Sequence, residues 1–371
     1  MRRIWVLLLG VALLLAGKGA CGLENDDYIL GQSFYEDKSN ALTYEETKSV
    51  AFTPYTGLLA GGYSKSAYWI RLDVHASTQE LVLKIRPSFL NEITLYDPVS
   101  SRSPRTTGNW YPVAAADIKT NSLNFLLSPS PENRTVYLRI KSKSSYIVYT
   151  EVLPLTDFER AERSDNVIYT GYIMLTLILA VWMSILWLMN RDWVVGAFAI
   201  QQFVAVLHTF SRVGFARTFF DGYVNDVFIS EISNLILVVY ALVVITVNKL
   251  LLQEYGLKRL ARYIFNAMII FSLGLNALYL SGHHQTALSI NALLVLVMMT
   301  WFWICALWGT DASKALESSQ GVQLKVLRLY YTVNTLVWIV TLLPFLGVLS
   351  TGPITLHSLF FYNITSSLVF F

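Results

Sequence analysis

Aromatic and basic side chains in the first half of the chain are the best candidates for binding chemistry. Aromatic faces pack against the C–H surfaces of sugars, and arginine can hydrogen-bond hydroxyls or pair with an acidic sugar. Strand alternation puts Trp69 and Arg71 on one face of a strand, and Tyr137 and Arg139 on one face of another. The candidate ligand-binding residues are Trp69, Arg71, Tyr96, Trp110, Tyr111, Tyr137 and Arg139.

The same residues also have a purely structural interpretation. A Trp–Arg stack across neighbouring strands would give this pattern without any ligand. For any single one of these residues, the sequence favours support of the fold over ligand contact. Trp110 and Tyr111 lie in a turn-rich stretch, where binding residues concentrate, and are therefore the stronger candidates.

Metal, cofactor and catalytic chemistry have little support in the sequence. No two of the five histidines have the i, i+4 spacing of a helical zinc motif. His283-His284 is predicted to be a solvated loop pair, with a pH or metal sensor as the alternative. Phosphate-binding glycine loops, H-E-x-x-H and G-x-S-x-G are absent from the sequence. We therefore expect no cofactor, no metal and no catalytic residues here, although distant paired carboxylates remain open.

The candidate residues lie on a pattern of short strands. Tyr68, Ile70, Leu72 and Val74 alternate with polar or aromatic residues, which is typical of a strand with one buried face. Four further strands are predicted around Leu81–Ile85, Ile93–Leu95, Val136–Ile140 and Ile147–Val152. Short alternating strands with frequent turn signals predict an all-β sandwich or jelly roll.

The second half of the chain contains seven hydrophobic runs. Each is roughly 18–23 residues long, enough for a helix to cross the hydrocarbon core of a bilayer. With 54% hydrophobic residues overall, the chain falls in the membrane class. The predicted spans are Val167–Met189, Trp193–Phe210, Val227–Asn248, Tyr263–Leu280, Ala287–Trp308, Leu329–Leu349 and Ile354–Phe371.

Loop charges predict the orientation of these spans. If the first half is exported, the inner breaks hold eight basic residues and the outer breaks only Arg212 and Arg217. This asymmetry favours an exported amino-terminal domain and a cytoplasmic chain end. The net charge of +3 sits largely in the inner loops, so a nucleic-acid partner is not expected.

Four segments follow from these patterns. Residues 1–22 resemble a secretory signal peptide, with Arg2 and Arg3 before an apolar core. Residues 23–155 form the exported sandwich, and residues 167–371 form the helical domain. The connector 156–166 is charged and lacks Gly and Pro, so a helical extension of the first span and a flexible linker are equally supported.

Three motifs carry a resemblance to a known family. They are Gly62-Tyr63-Ser64 with Tyr68-Trp69-Ile70-Arg71-Leu72, then Leu90-Asn91-Glu92-Ile93-Thr94-Leu95-Tyr96-Asp97-Pro98, and Val136-Tyr137-Leu138-Arg139-Ile140-Lys141-Ser142. Their spacing resembles the jelly-roll extracellular domain type 2 of the bacterial seven-transmembrane receptors with diverse intracellular signalling modules (7TMR-DISM). The resemblance implies a periplasmic, carbohydrate-binding-like sensor, a membrane relay, and a cytoplasmic output domain such as a histidine kinase or diguanylate cyclase.

The chain ends at Phe371 without an output domain, so we expect a truncated sequence or a separately recruited effector. Expected partners are a carbohydrate or envelope-derived ligand, the lipid bilayer and the output module, while a homodimer is left open. A transporter or channel is the alternative, but only Glu231 places a charge within a run. A membrane-bound enzyme acting on envelope glycans is the third hypothesis. The expected location is the bacterial inner membrane.

Overall fold

The computed structural model describes residues 28–310 and 324–347, which form a β-sandwich and a set of long helices. The predicted signal peptide lies outside the described residues. Ten strands form two antiparallel sheets in this part of the chain, in the orders β2-β1-β4-β9-β6-β7 and β3-β10-β5-β8. The strands are β1 (Ile29–Asp37), β2 (Thr53–Pro54), β3 (Leu59–Gly62), β4 (Ala67–Val74), β5 (Leu81–Arg86), β6 (Glu92–Tyr96), β7 (Arg105–Thr107), β8 (Leu123–Leu127), β9 (Arg134–Lys141) and β10 (Tyr146–Pro154).

Alternation along the central strands builds the core of the sandwich. Ile70 of β4 faces Leu138 of β9, and Leu72 faces Val136, all completely buried between the sheets. Successive side chains of a strand point to opposite faces, so their neighbours lie on the outer face of the six-stranded sheet. The predicted β-sandwich and the predicted alternation in β4 are both confirmed.

Six of the helices are long and apolar enough to cross a membrane. They coincide with the first six predicted runs, while the run 354–371 lies outside the described residues, so the count of seven stays a prediction. The helices are α1 (Tyr44–Thr47), α2 (Leu155–Asn190), α3 (Trp193–Arg212), α4 (Phe215–Phe219), α5 (Asp226–Glu254), α6 (Arg259–Leu280), α7 (His284–Ile304, continued by the π-helical turn Cys305–Gly309) and α8 (Leu324–Phe345).

Helix α2 joins the two parts without a loop. It begins directly after β10, with Pro154 at its N-cap position, and runs for 36 residues. At 1.5 Å per residue that is about 54 Å, well beyond the roughly 30 Å of a hydrocarbon core. The connector is thus helical, and its Phe158 is buried against Val82 and Leu153 of the four-stranded sheet. The first turns of α2 are therefore held by the sandwich.

Candidate ligand-binding face and domain interface

The outer face of the six-stranded sheet gathers five of the seven predicted binding residues. Strand register pairs Trp69 with Arg139, Arg71 with Tyr137, and Tyr137 with Tyr96. The face is thus lined by aromatic rings and two guanidinium groups. This is the pattern that the strand alternation predicted, and it could accommodate a sugar by stacking and hydrogen bonding.

Trp69 is completely buried on this face. Its ring lies 5.4 Å from the Tyr96 ring, and the Arg139 guanidinium sits 5.9 Å from its centroid, which is the cross-strand stack of the structural interpretation. A ligand could touch Trp69 only after the side chains packed over it had moved. Arg71 lies at the more exposed rim, where it pairs with Asp73 at 3.3 Å.

Residues 38–52, which we call the cover segment, lie over this face. Tyr44 of α1 stacks on Tyr96 with centroids 4.8 Å apart and meets Tyr137 edge-on at 5.6 Å. Phe52 also contacts Tyr137, and Arg139 donates a 2.9 Å hydrogen bond to the Asn40 carbonyl oxygen. The cover segment therefore occupies the sheet face where a ligand was expected.

Asp37 anchors the start of the cover segment. Its side chain accepts hydrogen bonds from the backbone N–H groups of Ser39, Asn40 and Leu42 at 3.0–3.1 Å, and from the Ser39 hydroxyl. Burial acts to raise the pKa of Asp37, but these hydrogen bonds outweigh it and hold the pKa below its usual value of 3.8. These hydrogen bonds therefore stabilise the fold at pH values above 3.8. Their contribution is lost as the pH falls through the lower pKa of the folded state.

Trp110 and Tyr111 lie apart from the stacked rings, in the loop after β7. The Tyr111 hydroxyl donates a 3.0 Å hydrogen bond to Glu92, and Lys143 lies 5.3 Å from the centroid of the Trp110 ring. Burial and the bond to Glu92 raise the pKa of Tyr111. Glu92 also lies 3.9 Å from Arg139, so this single carboxylate links the loop to the aromatic face.

The sandwich rests on the outer ends of the helices through a second set of residues, which we call the docking interface. Asn91, next to Glu92, is buried and donates a 3.0 Å hydrogen bond to Ser230 of α5. Its side-chain oxygen Oδ1 accepts from the Ser142 hydroxyl and from the backbone N–H of Lys143. A buried amide with all these partners fixes the position of the sandwich on the helices.

Glu231 of α5 lies at the edge of the docking interface. Its carboxylate is 3.1 Å from the Lys143 ammonium and 4.0 Å from His284 Nε2. His284 begins α7 and its ring packs edge-on against Tyr279 at 4.5 Å. The prediction of a solvated His283-His284 pair is therefore wrong for His284, because the start of α7 turns it toward its neighbours, whereas His283 is exposed.

The extension of α2 adds a buried ionic cluster to the docking interface. The Lys84 ammonium, only 1% exposed, lies 2.7 Å from Glu162 and 3.0 Å from Asp165. Arg86 also reaches Asp165 at 3.5 Å and pairs with Glu151 at 2.7 Å. Opposite charges at this burial hold α2 in one position on the four-stranded sheet, because neither charge tolerates losing its partner.

The loop after α3 approaches the backbone of the sandwich closely. Gly214 has φ +92°, and a Cβ there would lie 2.4 Å from the Asn121 carbonyl oxygen of the sandwich. Nearby, Thr218 donates to the Asn121 side chain at 2.6 Å and Asp221 accepts from the backbone N–H of Val113 at 2.9 Å. A side chain at position 214 would have to push the loop away from the sandwich.

Substituting Gly214→Ala is expected to destabilise the docked state by about 2–5 kcal/mol, the sum of backbone strain and overpacking. Gly222→Ala is the matched control, since its φ is +76° but no atom lies within 4 Å of the added Cβ. It should show only the strain of about 1–2 kcal/mol. Thermal unfolding of the full chain in detergent measures the stability of both variants. Equal losses of stability in the two would argue against the close contact at Gly214.

The fold and interface define a class: an amino-terminal β-sandwich docked on helices that could span a membrane. Residues 31–153 match the family model described as 7TMR-DISM extracellular 2. The sandwich therefore matches the extracellular domain type that the three motifs indicated. A search of curated proteins found no match to the chain. Together, the family match and the six apolar helices mark a multi-pass membrane protein with an extracellular amino-terminal domain.

Proposed function

We propose that the chain is the sensor and relay part of a bacterial receptor. Its sandwich would bind a carbohydrate or related cell-envelope ligand on the periplasmic side. Its helices would pass the change to a cytoplasmic output module of the histidine kinase or diguanylate cyclase type. The family of the sandwich supports a receptor-type sensor. The aromatic face supports a saccharide as the ligand class.

The observation that carries this proposal is the adjacency of Glu92 and Asn91 at the start of β6. Glu92 contacts Arg139 and Tyr111, two of the predicted ligand-binding residues. Asn91 contacts Ser230 at the outer end of α5. Glu92, the first residue of β6, thus touches the aromatic face, and Asn91, directly before it, touches the helices, so a shift at the start of β6 reaches both.

A ligand bound to the aromatic face would displace the cover segment, and this displacement is the conformational change that the proposal requires. A ligand that stacks on Tyr96 must displace Tyr44, which occupies that ring face. It would also compete with the Asn40 carbonyl for Arg139. Binding therefore favours an arrangement with the cover open, and the equilibrium shifts only by the difference in affinity between the two arrangements.

The orientation follows from the outer contacts of the helices. The loop after α3, the start of α7 and the end of α8 all touch the sandwich, so these ends share its side of the membrane. The opposite ends carry the basic excess of the inner loops, including Arg191, Lys258 and Arg259. A periplasmic sandwich in the inner membrane agrees with both. A cytoplasmic chain end additionally requires the seventh predicted run, 354–371, to cross back.

Binding of envelope oligosaccharides to the full chain in detergent tests the ligand class. We expect Tyr96→Ala and Tyr137→Ala to weaken binding at least tenfold, which corresponds to about 1.4 kcal/mol. Tyr223→Ala is the matched control, because this tyrosine is 88% exposed in an outer loop. Tyr44→Ala should strengthen binding, since it frees the face of Tyr96. No saccharide binding by the wild type, or equal affinities across the variants, would contradict the proposal.

A further inference from the structure

Two small spaces meet beneath the sandwich in the outer half of the helix bundle. One lies between the sandwich and α3 and leaves about 80 Å³ for the centres of water-sized molecules. The other lies among α3, α5, α7 and α8 and leaves about 60 Å³. Both are lined by His208, Arg212 and Phe345, so they adjoin at these side chains. Each is large enough for several water molecules.

Arg212 is the unusual group of this cavity. Its guanidinium lies 3.6 Å from the centroid of the Phe89 ring and makes a long hydrogen bond of 3.5 Å to the Asn234 side chain. It forms no ion pair with any residue in the described ranges, whereas Lys84, Arg86 and Lys143 of the same interface all face carboxylates. A guanidinium has five N–H donors, and most of them are open here.

A further polar atom of the cavity, His208 Nε2, has no partner in the part of the chain that the structure describes. The His208 side chain is 2% exposed. Buried polar atoms in folded proteins are almost always hydrogen-bonded. An unpaired cation beside an unpaired imidazole nitrogen is what an anionic ligand with hydrogen-bonding oxygens would satisfy.

The deep end of the cavity is apolar. Val244 of α5 and Val295, Met298 and Met299 of α7 line it. A ligand that fills both ends must carry a single negative charge and an alkyl chain. One cation balances a monoanion, and the planar fork of arginine matches the two oxygens of a carboxylate.

We propose that this cavity binds a free fatty acid of medium chain length, with its carboxylate on Arg212 and His208 and its tail toward Val295 and Met299. A two-chain phospholipid does not suit the small volume. Tyr63 of the sandwich lines the cavity together with the helices, and Phe89 lies on the other side of Arg212. The bound acid therefore contacts both domains and biases how the sandwich docks, independently of any saccharide on the outer face.

Calorimetric titration of the full chain in nanodiscs of phosphatidylcholine tests this site, with decanoate as the probe. Saturable binding is expected for decanoate and at least tenfold weaker binding for decanol, which has the same tail without the charge. Arg212→Gln should weaken decanoate binding at least tenfold. Arg262→Gln is the matched control, because this arginine is exposed near the inner end of α6 and should leave binding unchanged.

The comparison of decanoate with decanol on the wild type remains decisive if Arg212→Gln fails to fold. Equal binding of the two compounds, or unchanged binding in a folded Arg212→Gln protein, would overturn the proposal. Nanodiscs of phosphatidylglycerol separate the two sources of an anionic amphiphile. Unaltered decanoate binding there supports a free acid, and loss of binding would assign the cavity to a membrane lipid and overturn it.

Discussion

Replacing Lys84 with Met is expected to lower the free energy of unfolding by about 3–5 kcal/mol, the usual cost of breaking a buried ion pair. The ammonium is 1% exposed and lies within 3.0 Å of both Glu162 and Asp165. Without it, Glu162 loses the only cation that the described structure places beside it. Asp165 keeps Arg86 at 3.5 Å. The free energy lost is that of the contact between α2 and the sandwich.

Urea unfolding of the full chain in detergent, followed by tryptophan fluorescence, measures this effect. Lys119→Met is the matched control, because Lys119 is exposed and should change stability by less than about 0.5 kcal/mol. The double variant Lys84→Met/Glu162→Leu should recover most of the loss, since an apolar pair can replace a buried ion pair. A Lys84→Met protein as stable as the Lys119→Met protein would show that the cluster does not hold α2.

Inserting four Gly/Ser residues between Ser164 and Asp165 is expected to abolish the output response while leaving ligand binding intact. The insertion separates the docked turns of α2, which contain Phe158 and Glu162, from the membrane part of the helix. A flexible break cannot pass on a displacement or rotation that a continuous helix transmits. The assay needs a chimera that carries a kinase or cyclase output domain after residue 371, and a saccharide of the class proposed as the ligand.

An insertion of seven helix-forming residues at the same point is the control for length. Seven residues are close to two turns and keep the helix phase within about 20°. This variant should retain part of the response, while the flexible one retains none. An unchanged response after the flexible insertion would place the relay in the other contacts, at the loop after α3 and at the start of α7.

The sandwich was largely predictable where one face of a strand is apolar. β4, β5, β6 and β9 all carry the alternating apolar residues that the sequence showed, and β10 lies where a strand was predicted. β1 was missed because its residues Ile29–Asp37 are mixed and mostly half-buried, and its pairing with β4 supplies what its own pattern lacks. The helical connector was undecided because its stability comes from Lys84 and Arg86, far away in the chain.

The roles of individual site residues could be predicted less well. The shared face of Trp69 and Arg139 follows from alternation. The cover segment carries no binding motif, yet it contacts both neighbours of the Trp69 ring, Tyr96 through Tyr44 and Arg139 through Asn40. The role of Asn91 depends on Ser230, 139 residues further along the chain. The sequence identified Arg212 only as a basic residue of an outer loop. Contacts between residues so far apart in the chain leave no local pattern in the sequence.

Crosslinking Lys143→Cys to Glu231→Cys is the most direct test of a sandwich docked on the outer ends of the helices. The two native side chains lie 3.1 Å apart and are about 40% exposed, so the substitutions disturb little. Cys21 and Cys305 are replaced by serine, and a short, membrane-impermeant bismaleimide is added to spheroplasts. Most molecules are predicted to form the intramolecular crosslink.

The control pair is Glu132→Cys with Glu231→Cys. Glu132 precedes β9 at the end opposite Lys143, so the eight residues of that strand, about 26 Å, separate the two positions. Both cysteines of the control should be labelled singly without a crosslink. If Lys143→Cys and Glu231→Cys are also labelled only singly, the sandwich is not docked on α5. If neither is labelled, the sandwich is not on the outer side, and the account of sensing fails with it.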